Sequence, residues 1–177
     1  MDTFYAINNR KSTTTYKRDA IPLDTVLKVV SGARRAPSWG NKQCWKFIIV
    51  DSQVQKKIIG KASGQDKIAK ACEDAPYIVV LCADTNESGI KNDLAYFMFD
   101  CGLAMENLVL AAEAENLATC IVGWFDEKAI RAVLNIPEEI KVIAFTPIGF
   151  AARRAVETTR KSESEVVFHN RWGNSDY

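Results

Sequence analysis

The chain has 177 residues, of which 47% are hydrophobic and 25% are charged. A chain of this length is about one domain long and buries roughly 70% of its unfolded surface, so a core can form without disulfides or metals. The 23 basic and 22 acidic residues leave a net charge of +1. This balance provides no long-range field to attract nucleic acid or an anionic membrane.

The cysteines and the single histidine do not have the spacing of a metal or haem site. The five cysteines are widely separated, with no C-x-x-C pair, and most lie in apolar runs where Cys packs as a small hydrophobe. The first ten residues lack a signal-peptide pattern. The longest apolar segment, residues 94–112, contains Asp100, Glu106 and Asn107, so it does not predict a membrane span. We therefore predict a cytoplasmic protein.

No repeat, linker or low-complexity tract interrupts the chain, and we predict one domain over residues 1–177. In the first half, apolar spacing and turn residues predict, in order, a helix over 23–33, a strand over 46–50, a helix over 52–59, a central strand over 77–83 and a polar loop over 84–92.

The second half is predicted to begin with a long helix from residue 93 to about 115. This segment is apolar on nearly all sides and should be buried. Asn116 is positioned to be its left-handed cap, while Asp126 and Asn135 should begin and end the next helix. Strands are predicted over 118–123 and 141–149.

The polar segment after Gly149, with a strand-like VVF at 166–168, has no helical stripe to bury on its own core. We therefore predict that it wraps around a second copy of the chain.

This order of elements predicts an α+β fold with a mixed sheet, although a doubly wound sheet is also compatible with the connections. No G-x-G-x-x-G or G-x-x-x-x-G-K-[ST] turn follows a strand. A dinucleotide-binding or P-loop site is therefore disfavoured.

Two basic clusters lie towards opposite ends of the chain. Arg10, Lys11 and Ser12 combine a guanidinium fork with a hydroxyl donor, a set that can hold a phosphate. The second cluster is Arg153-Arg154 with Arg160-Lys161. Each cluster alone is also typical of a solvated surface, but together they could converge on one dianion.

Two connections carry aromatic and amide groups where loops usually carry small and charged residues. The first is APSWGNKQCWKF at 36–47, and the second is IVGWFD at 121–126. Gly123 in the second would let the backbone approach a flat ligand. The tryptophans could equally be core residues. If they are not, these features indicate a planar, phosphorylated ligand.

Seven short motifs occur in order along nearly the whole chain. They are R-K-S at 10–12, A-P-S-x-x-N-x-Q-x-W at 36–45, A-P at 75–76, D-x-G at 100–102, V-G-W-F-D at 122–126, I-G-F at 148–150 and R-K at 160–161. In combination they resemble the nitroreductase family of flavoproteins, in a small form. The planar, phosphorylated ligand would then be FMN.

The resemblance implies a three-layer α+β fold with a central mixed, mainly antiparallel sheet flanked by helices. It also implies a homodimer in which two FMN molecules lie at the interface and the C-terminal arm extends onto the partner. The long helix around residues 100–110 would form the dimer core.

By motif match, Arg10, Lys11 and Ser12 would hold the FMN phosphate and the polar edge of the flavin, and Arg160 and Lys161 would complete the phosphate site. The isoalloxazine would be met from the other subunit by four residues, Pro37, Ser38, Trp39 and Asn41. The backbone at Val122 and Gly123 would face flavin N5.

The implied activity is reduction of nitroaromatics, quinones or similar acceptors with NAD(P)H, by ping-pong hydride transfer through flavin N5 and without a catalytic side chain. This agrees with the lack of a Ser-His-Asp set or a carboxylate pair in the sequence. Two alternatives stay open: a specialised flavin reductase or dehydrogenase of the same family, and a non-catalytic FMN-binding dimer.

The chain departs from the family pattern in three places. Cys44 stands where Pro is usual and is expected to fill space, with redox sensitivity as the alternative. Thr14 stands where a second basic residue commonly supports reduced flavin. Asn116 replaces a usual Gly, and its position as a helix cap accommodates the change. The family's larger members also insert helices after the second strand; here only residues 84–92 are available to cover the flavin, so the lid should be small.

Overall fold

The computed structural model describes residues 2–153 and 155–176. Its α-helices are α1 (Thr3–Asn9), α2 (Leu23–Ala33), α3 (Gln53–Ala62), α4 (Asp66–Asp74), α5 (Tyr96–Ala114), α6 (Glu127–Leu134) and α7 (Glu163–Val166). Its strands are β1 (Trp45–Val50), β2 (Tyr77–Asp84), β3 (Ile90–Lys91), β4 (Leu94–Ala95), β5 (Ala118–Thr119) and β6 (Ile140–Gly149). Short 3₁₀ turns occupy Trp39–Asn41 and Thr85–Glu87.

The main sheet has the strand order β1-β2-β6-β5, and all neighbouring strands in it are antiparallel. A parallel bridge between Ser12 and Thr119 extends the sheet beyond β5. The sheet is therefore mixed and mainly antiparallel, as predicted, and the doubly wound alternative is excluded.

Helices cover both faces of this sheet. Val79 and Leu81 of β2 belong to the core under α2 and α5, whereas Ile78 and Val80 belong to the core under α3, α4 and α6. Alternate residues of a strand point to opposite faces, so a strand buried on both sides is apolar throughout. The predicted α+β fold with three layers is confirmed.

The predicted helix caps are also confirmed. The Asp126 carboxylate accepts hydrogen bonds from the backbone N–H groups of Lys128 (2.9 Å) and Ala129 (3.3 Å) and begins α6. Asn135 and Asn116 end their helices with positive φ angles of 52° and 59°. A left-handed residue at a helix end is typical of Asn and Gly.

Three local predictions were wrong or incomplete. Helix α4 was not predicted, because its sequence DKIAKACED is mostly polar and only a narrow stripe is buried. The predicted strand over 118–123 is reduced to β5 and one bridge at Val122. The VVF segment is not a strand: α7 precedes it, with a capping box between Ser162 and Glu165.

The long helix begins later than predicted, at Tyr96. Residues 90–95 form a hairpin instead, because Asn92 and Asp93 adopt positive φ angles of 52° and 60° that suit a tight two-residue turn. Burial of α5 is confirmed only on the side facing α2 and the sheet. On its other side Phe99 is 61% exposed.

None of the helices in the described residues combines the length and the low charge needed to cross a bilayer.

Gly60 marks the closest approach of α3 to α4. A β-carbon at this position would lie 2.8 Å from Cys72 Cβ and 2.9 Å from Ala69 Cα, distances that require the helices to separate. We expect Gly60→Ala to lower the free energy of unfolding by about 1–3 kcal/mol, measured by urea denaturation. Lys61→Ala on the exposed side of α3 is the control, with a change within about 0.5 kcal/mol. Equal effects of the two substitutions would contradict the tight packing.

Candidate functional site

The connection between α2 and β1 is a defined turn that presents Trp39 and Asn41 to solvent. Asn41 has a φ of 56° and Gln43 a φ of 53°, and the Ser38 hydroxyl accepts a hydrogen bond from the Gln43 N–H at 2.9 Å. Pro37 and Asn41 are exposed, and Ser38 is half-buried. The four residues predicted to meet the flavin ring therefore lie together, on a surface that the local backbone fixes.

The buried carboxylate of Asp100, in the second turn of α5, holds this turn in place. One oxygen accepts a hydrogen bond from the Trp39 N–H (2.8 Å), and the other accepts from the Ser88 hydroxyl (2.9 Å). Asp100 is 1% exposed, and no lysine or arginine of the described residues forms an ion pair with it. The sequence marked Asp100 as a motif residue but gave no reason for it, because its partners are distant in sequence.

Cys44 is part of the same polar cluster. Its thiol is fully buried and lies 3.9 Å from an Asp100 oxygen. Burial and the Asp100 charge both raise the pKa of the Cys44 thiol. A protonated, buried thiol is a poor nucleophile. This environment favours the space-filling interpretation of Cys44 over the redox-sensitive one.

The lid segment, residues 84–92, packs directly on Trp39. Gly89 is buried against the indole, and a β-carbon added to it would lie 2.4 Å from the ring. Glu87 in this segment also forms an ion pair with Lys46 of β1 at 2.5 Å. This segment contacts the same residue that was predicted to meet the flavin.

Residues 10–16 form an extended segment along the sheet edge. Ser12 bridges Thr119, and the Thr13 N–H donates to the Thr119 carbonyl at 2.8 Å. Side chains alternate along such a segment. Ser12 is therefore exposed, whereas Thr13 is buried on the opposite side.

Lys11 lies on the Thr13 side, where a cavity of about 440 Å³ is bounded by α1, the end of α5 and the start of the C-terminal arm. Its ammonium group donates to the Asn8 carbonyl (3.2 Å) and lies 3.5 Å from a Glu157 oxygen. The structure thus separates Lys11 from Ser12, although the two are adjacent in the predicted phosphate set.

Glu113 also lines this cavity. Burial raises the pKa of the Glu113 carboxyl, and the nearby charges of Arg10 and Lys11 oppose that shift. The neighbours of Arg10, Asn9 and Lys11, line the same cavity as Glu113, which places Arg10 near the C-terminal end of α5.

The backbone at Val122 is already used by the sheet. Its N–H donates to the Phe145 carbonyl at 2.8 Å, and its carbonyl accepts from the Phe145 N–H at 3.0 Å. Gly123 is exposed, and its N–H makes no hydrogen bond within the part of the chain that the structure describes. Of the two predicted backbone donors, Gly123 alone has a free N–H.

Arg160 and Lys161 are exposed on the C-terminal arm. The Arg160 guanidinium donates to the Thr158 hydroxyl at 2.7 Å. Across residues 2–153 and 155–176, neither residue forms a hydrogen bond or an ion pair with residues 10–12. The arm does approach the first cluster, because a Glu157 carboxylate oxygen lies 3.5 Å from the Lys11 ammonium group. Arg154 lies outside the described residues.

The two groups of candidate residues lie at opposite ends of α5. The Trp39 turn is attached to Asp100 near the start of the helix, whereas Arg10 approaches Glu113 near its end. The separation along the helix axis between these two positions is roughly 20 Å at a rise of 1.5 Å per residue.

The fold is that of the nitroreductases. A crystal structure of a nitroreductase family protein from Clostridium novyi NT superimposes with a TM-score of 0.82 and 33% sequence identity, covering 99% of this chain and 97% of that one. The model of the nitroreductase family matches residues 7–74 and 60–150. The chain belongs to the nitroreductase family, a family of oxidoreductases.

Two curated relatives show the range of this similarity. A protein of Archaeoglobus fulgidus with the provisional name NADH dehydrogenase/NAD(P)H nitroreductase is 30% identical over 148 residues, which cover 81% of this chain and 82% of the relative. A 5,6-dimethylbenzimidazole synthase of Rhodospirillum rubrum is 26% identical over 164 residues, covering 80% and 78%.

The raised pKa of Glu113 predicts how the stability of the protein depends on pH. A carboxyl whose pKa is higher in the folded chain stabilises the fold below its ordinary range, and this contribution is lost as the pH rises through the raised value. Glu113→Gln lacks that titration. We expect the melting temperature of the variant, relative to wild type, to increase between pH 4 and pH 8. A difference that stays constant over this range would contradict the assignment.

Proposed function

We propose that the protein is an FMN-dependent oxidoreductase that takes electrons from NAD(P)H and reduces nitroaromatics, quinones or similar acceptors. We further propose that it works as a homodimer of single-domain chains, with each site formed by both subunits. The observation that carries this proposal is the separation of the two candidate groups at opposite ends of α5.

A two-fold axis resolves this separation. In a symmetric dimer both subunits use the same surface patch. If two α5 helices pack antiparallel across the axis, the end of one helix lies beside the start of the other. Arg10 of one subunit then approaches the Trp39 turn of its partner.

Exposed apolar residues support such an interface. The outer side of α5 presents Phe99, Gly102 and Glu106 to solvent, and a β-carbon at Gly102 would meet nothing within 4 Å. Further exposed apolar side chains are Met98 of α5, Phe4 and Ile7 of α1, and Leu23 and Leu27 of α2. Clustered exposure of this kind is typical of an interaction surface rather than of a free monomer surface.

The residues present fit FMN. Arg10 and Ser12 would hold the phosphate through charge-assisted hydrogen bonds, completed by Arg160 and Lys161 on the arm. Lys11, which is held by Glu157 and Asn8, would contribute through its charge rather than by direct contact.

The turn of Pro37, Ser38, Trp39 and Asn41 would form one wall of the ring site. There the Trp39 indole supplies a flat apolar surface that excludes water. The free Gly123 N–H is the group available to stabilise negative charge on the ring edge. When bound, FMN supplies hydride acceptance at N5 and donation to a second substrate. The protein contributes position and electrostatics, and we assign no proton transfer to a side chain.

A second candidate function is a specialised reaction of the same family. This candidate is favoured by the similarity to the 5,6-dimethylbenzimidazole synthase. That similarity shows that proteins this closely related to the chain include one named for a reaction other than nitroreduction. The non-catalytic FMN-binding dimer is favoured only by Thr14 in place of a basic residue.

The proposed activity is tested by the absorbance spectrum of the purified protein before and after anaerobic addition of NADH, then NADPH. We expect a flavin spectrum that is bleached by at least one of the two, and reoxidation by a quinone or a nitroaromatic. Flavin that neither nicotinamide reduces would favour the binding protein. A reduced flavin that a panel of such acceptors does not reoxidise would favour a specialised substrate.

The shared site is tested with heterodimers of Arg10→Ala and Trp39→Ala chains, isolated by two affinity tags. Each homodimeric variant should bind little FMN, because both of its sites lack either Arg10 or Trp39. The heterodimer should recover about half of the sites, since one site receives Arg10 and Trp39 from its two unaltered halves.

Recovery near zero would show that Arg10 and Trp39 belong to the same chain's site. Arg18→Ala is the matched control, because it removes a guanidinium that pairs with Asp74 instead. Its homodimer should retain wild-type flavin content.

A further inference from the structure

The lid segment and the Trp39 turn are linked by one carboxylate. Asp100 receives the Trp39 N–H on one oxygen and the Ser88 hydroxyl on the other, at 2.8 and 2.9 Å. The residue after Ser88 is Gly89, which contacts the Trp39 indole. Two loops that are far apart in sequence are thus fixed to each other as well as to α5.

A carboxylate is well suited to this link. An ionised Asp only accepts hydrogen bonds and has two oxygens, so it satisfies a backbone N–H and a hydroxyl at the same time. The other side-chain link of the lid to the sheet is the Lys46–Glu87 ion pair, in which both side chains are about half exposed. Exposed ion pairs contribute little to stability. The Ser88–Asp100 hydrogen bond is therefore the principal side-chain attachment of the lid, beside a backbone hydrogen bond in which the Gly89 carbonyl accepts from the Tyr96 N–H at 2.9 Å.

The position of the indole depends on this attachment. On the lid side Gly89 leaves no room, because a β-carbon would lie 2.4 Å from the ring. On the other side Trp39 is open, with 44% of the residue exposed. The indole can therefore move towards Gly89 only if the lid moves. It can move away from Gly89 only into the opening of the site.

We propose that Asp100 is a positioning residue that, through Ser88 and Gly89 of the lid, fixes the Trp39 indole as the wall that limits the size of the electron acceptor. This inference rests on the proposed function and names what selects the substrate at the same site. The fixed Trp39 indole excludes bulky acceptors, and the lid does not need to close on them.

The test compares two lid variants with opposite expected effects. Ser88→Ala releases the lid from Asp100 while keeping the Trp39–Asp100 hydrogen bond, so the indole gains room to retreat. Gly89→Ala pushes the indole away from the lid and into the opening. Asp100→Asn is the conservative variant: its Oδ1 can still accept from the Trp39 N–H while its Nδ2 donates to the Ser88 hydroxyl, so it should shift the ratio less than Ser88→Ala.

The measured quantity is the ratio of kcat/KM for a bulky nitroaromatic to kcat/KM for a small benzoquinone. We expect this ratio to rise by about 2- to 10-fold in Ser88→Ala, the change that corresponds to one hydrogen bond, and to fall by a similar factor in Gly89→Ala. Ser63→Ala is the matched control. It removes a buried hydroxyl that bonds to the Gly60 carbonyl at 2.7 Å, away from the Trp39 turn, and should leave the ratio unchanged.

Flavin content and reduction by NAD(P)H are recorded for every protein. Opposite shifts in the two lid variants support the proposal, because general destabilisation cannot move the ratio both ways. Shifts in the same direction, or no shift in flavin-loaded variants, overturn it while the proposed function stands. A wild-type protein that binds no FMN would overturn both.

Discussion

The helix α5 has no polar side wide enough to face water, and this constraint shapes the rest of the molecule. One side closes the core formed with α2 and the sheet through Ala104, Leu108 and Ala112. The opposite side carries Phe99 and Gly102 and is exposed among the described residues. In the dimer that we propose, a second copy of α5 would cover this side, because an apolar helix is stable when it is buried all round. The candidate site then follows from where this helix begins and ends.

The residues of the basic segment at 10–13 have different surroundings because of strand geometry. Ser12 and Thr13 pair with Thr119, so Ser12 is exposed while Lys11 and Thr13 lie on the side of the cavity. Lys11 is balanced by Glu157, and its position beside Glu113 is electrostatically favourable. Adjacent residues of one short motif therefore have two environments: Ser12 is open to a ligand, whereas the charge of Lys11 is already paired.

The sequence predicted the parts of this structure that depend on local rules. The boundaries of α2, the caps at Asp126 and Asn135, and the central strand β2 follow from periodicity and turn chemistry. The parts it did not predict depend on partners distant in the chain. Helix α4 is stable through packing of a narrow stripe against α3, and the bridge at Val122 exists because Phe145 lies opposite. Motif matching likewise selected the Trp39 turn but could not show that Asp100 holds it.

Asp100 is the one charged residue among the buried residues of α5, and the free-energy cost of burying it bears on its role. A buried carboxylate without a cation is destabilising unless hydrogen bonds replace its hydration. Here a backbone N–H, a hydroxyl and a thiol replace it: the N–H and the thiol belong to the connection between α2 and β1, and the hydroxyl belongs to the lid segment. An apolar residue at position 100 would pack at lower cost but could not align Trp39 with the lid. Fixing the indole at the expense of some stability is therefore reasonable only if its position matters to what enters the site.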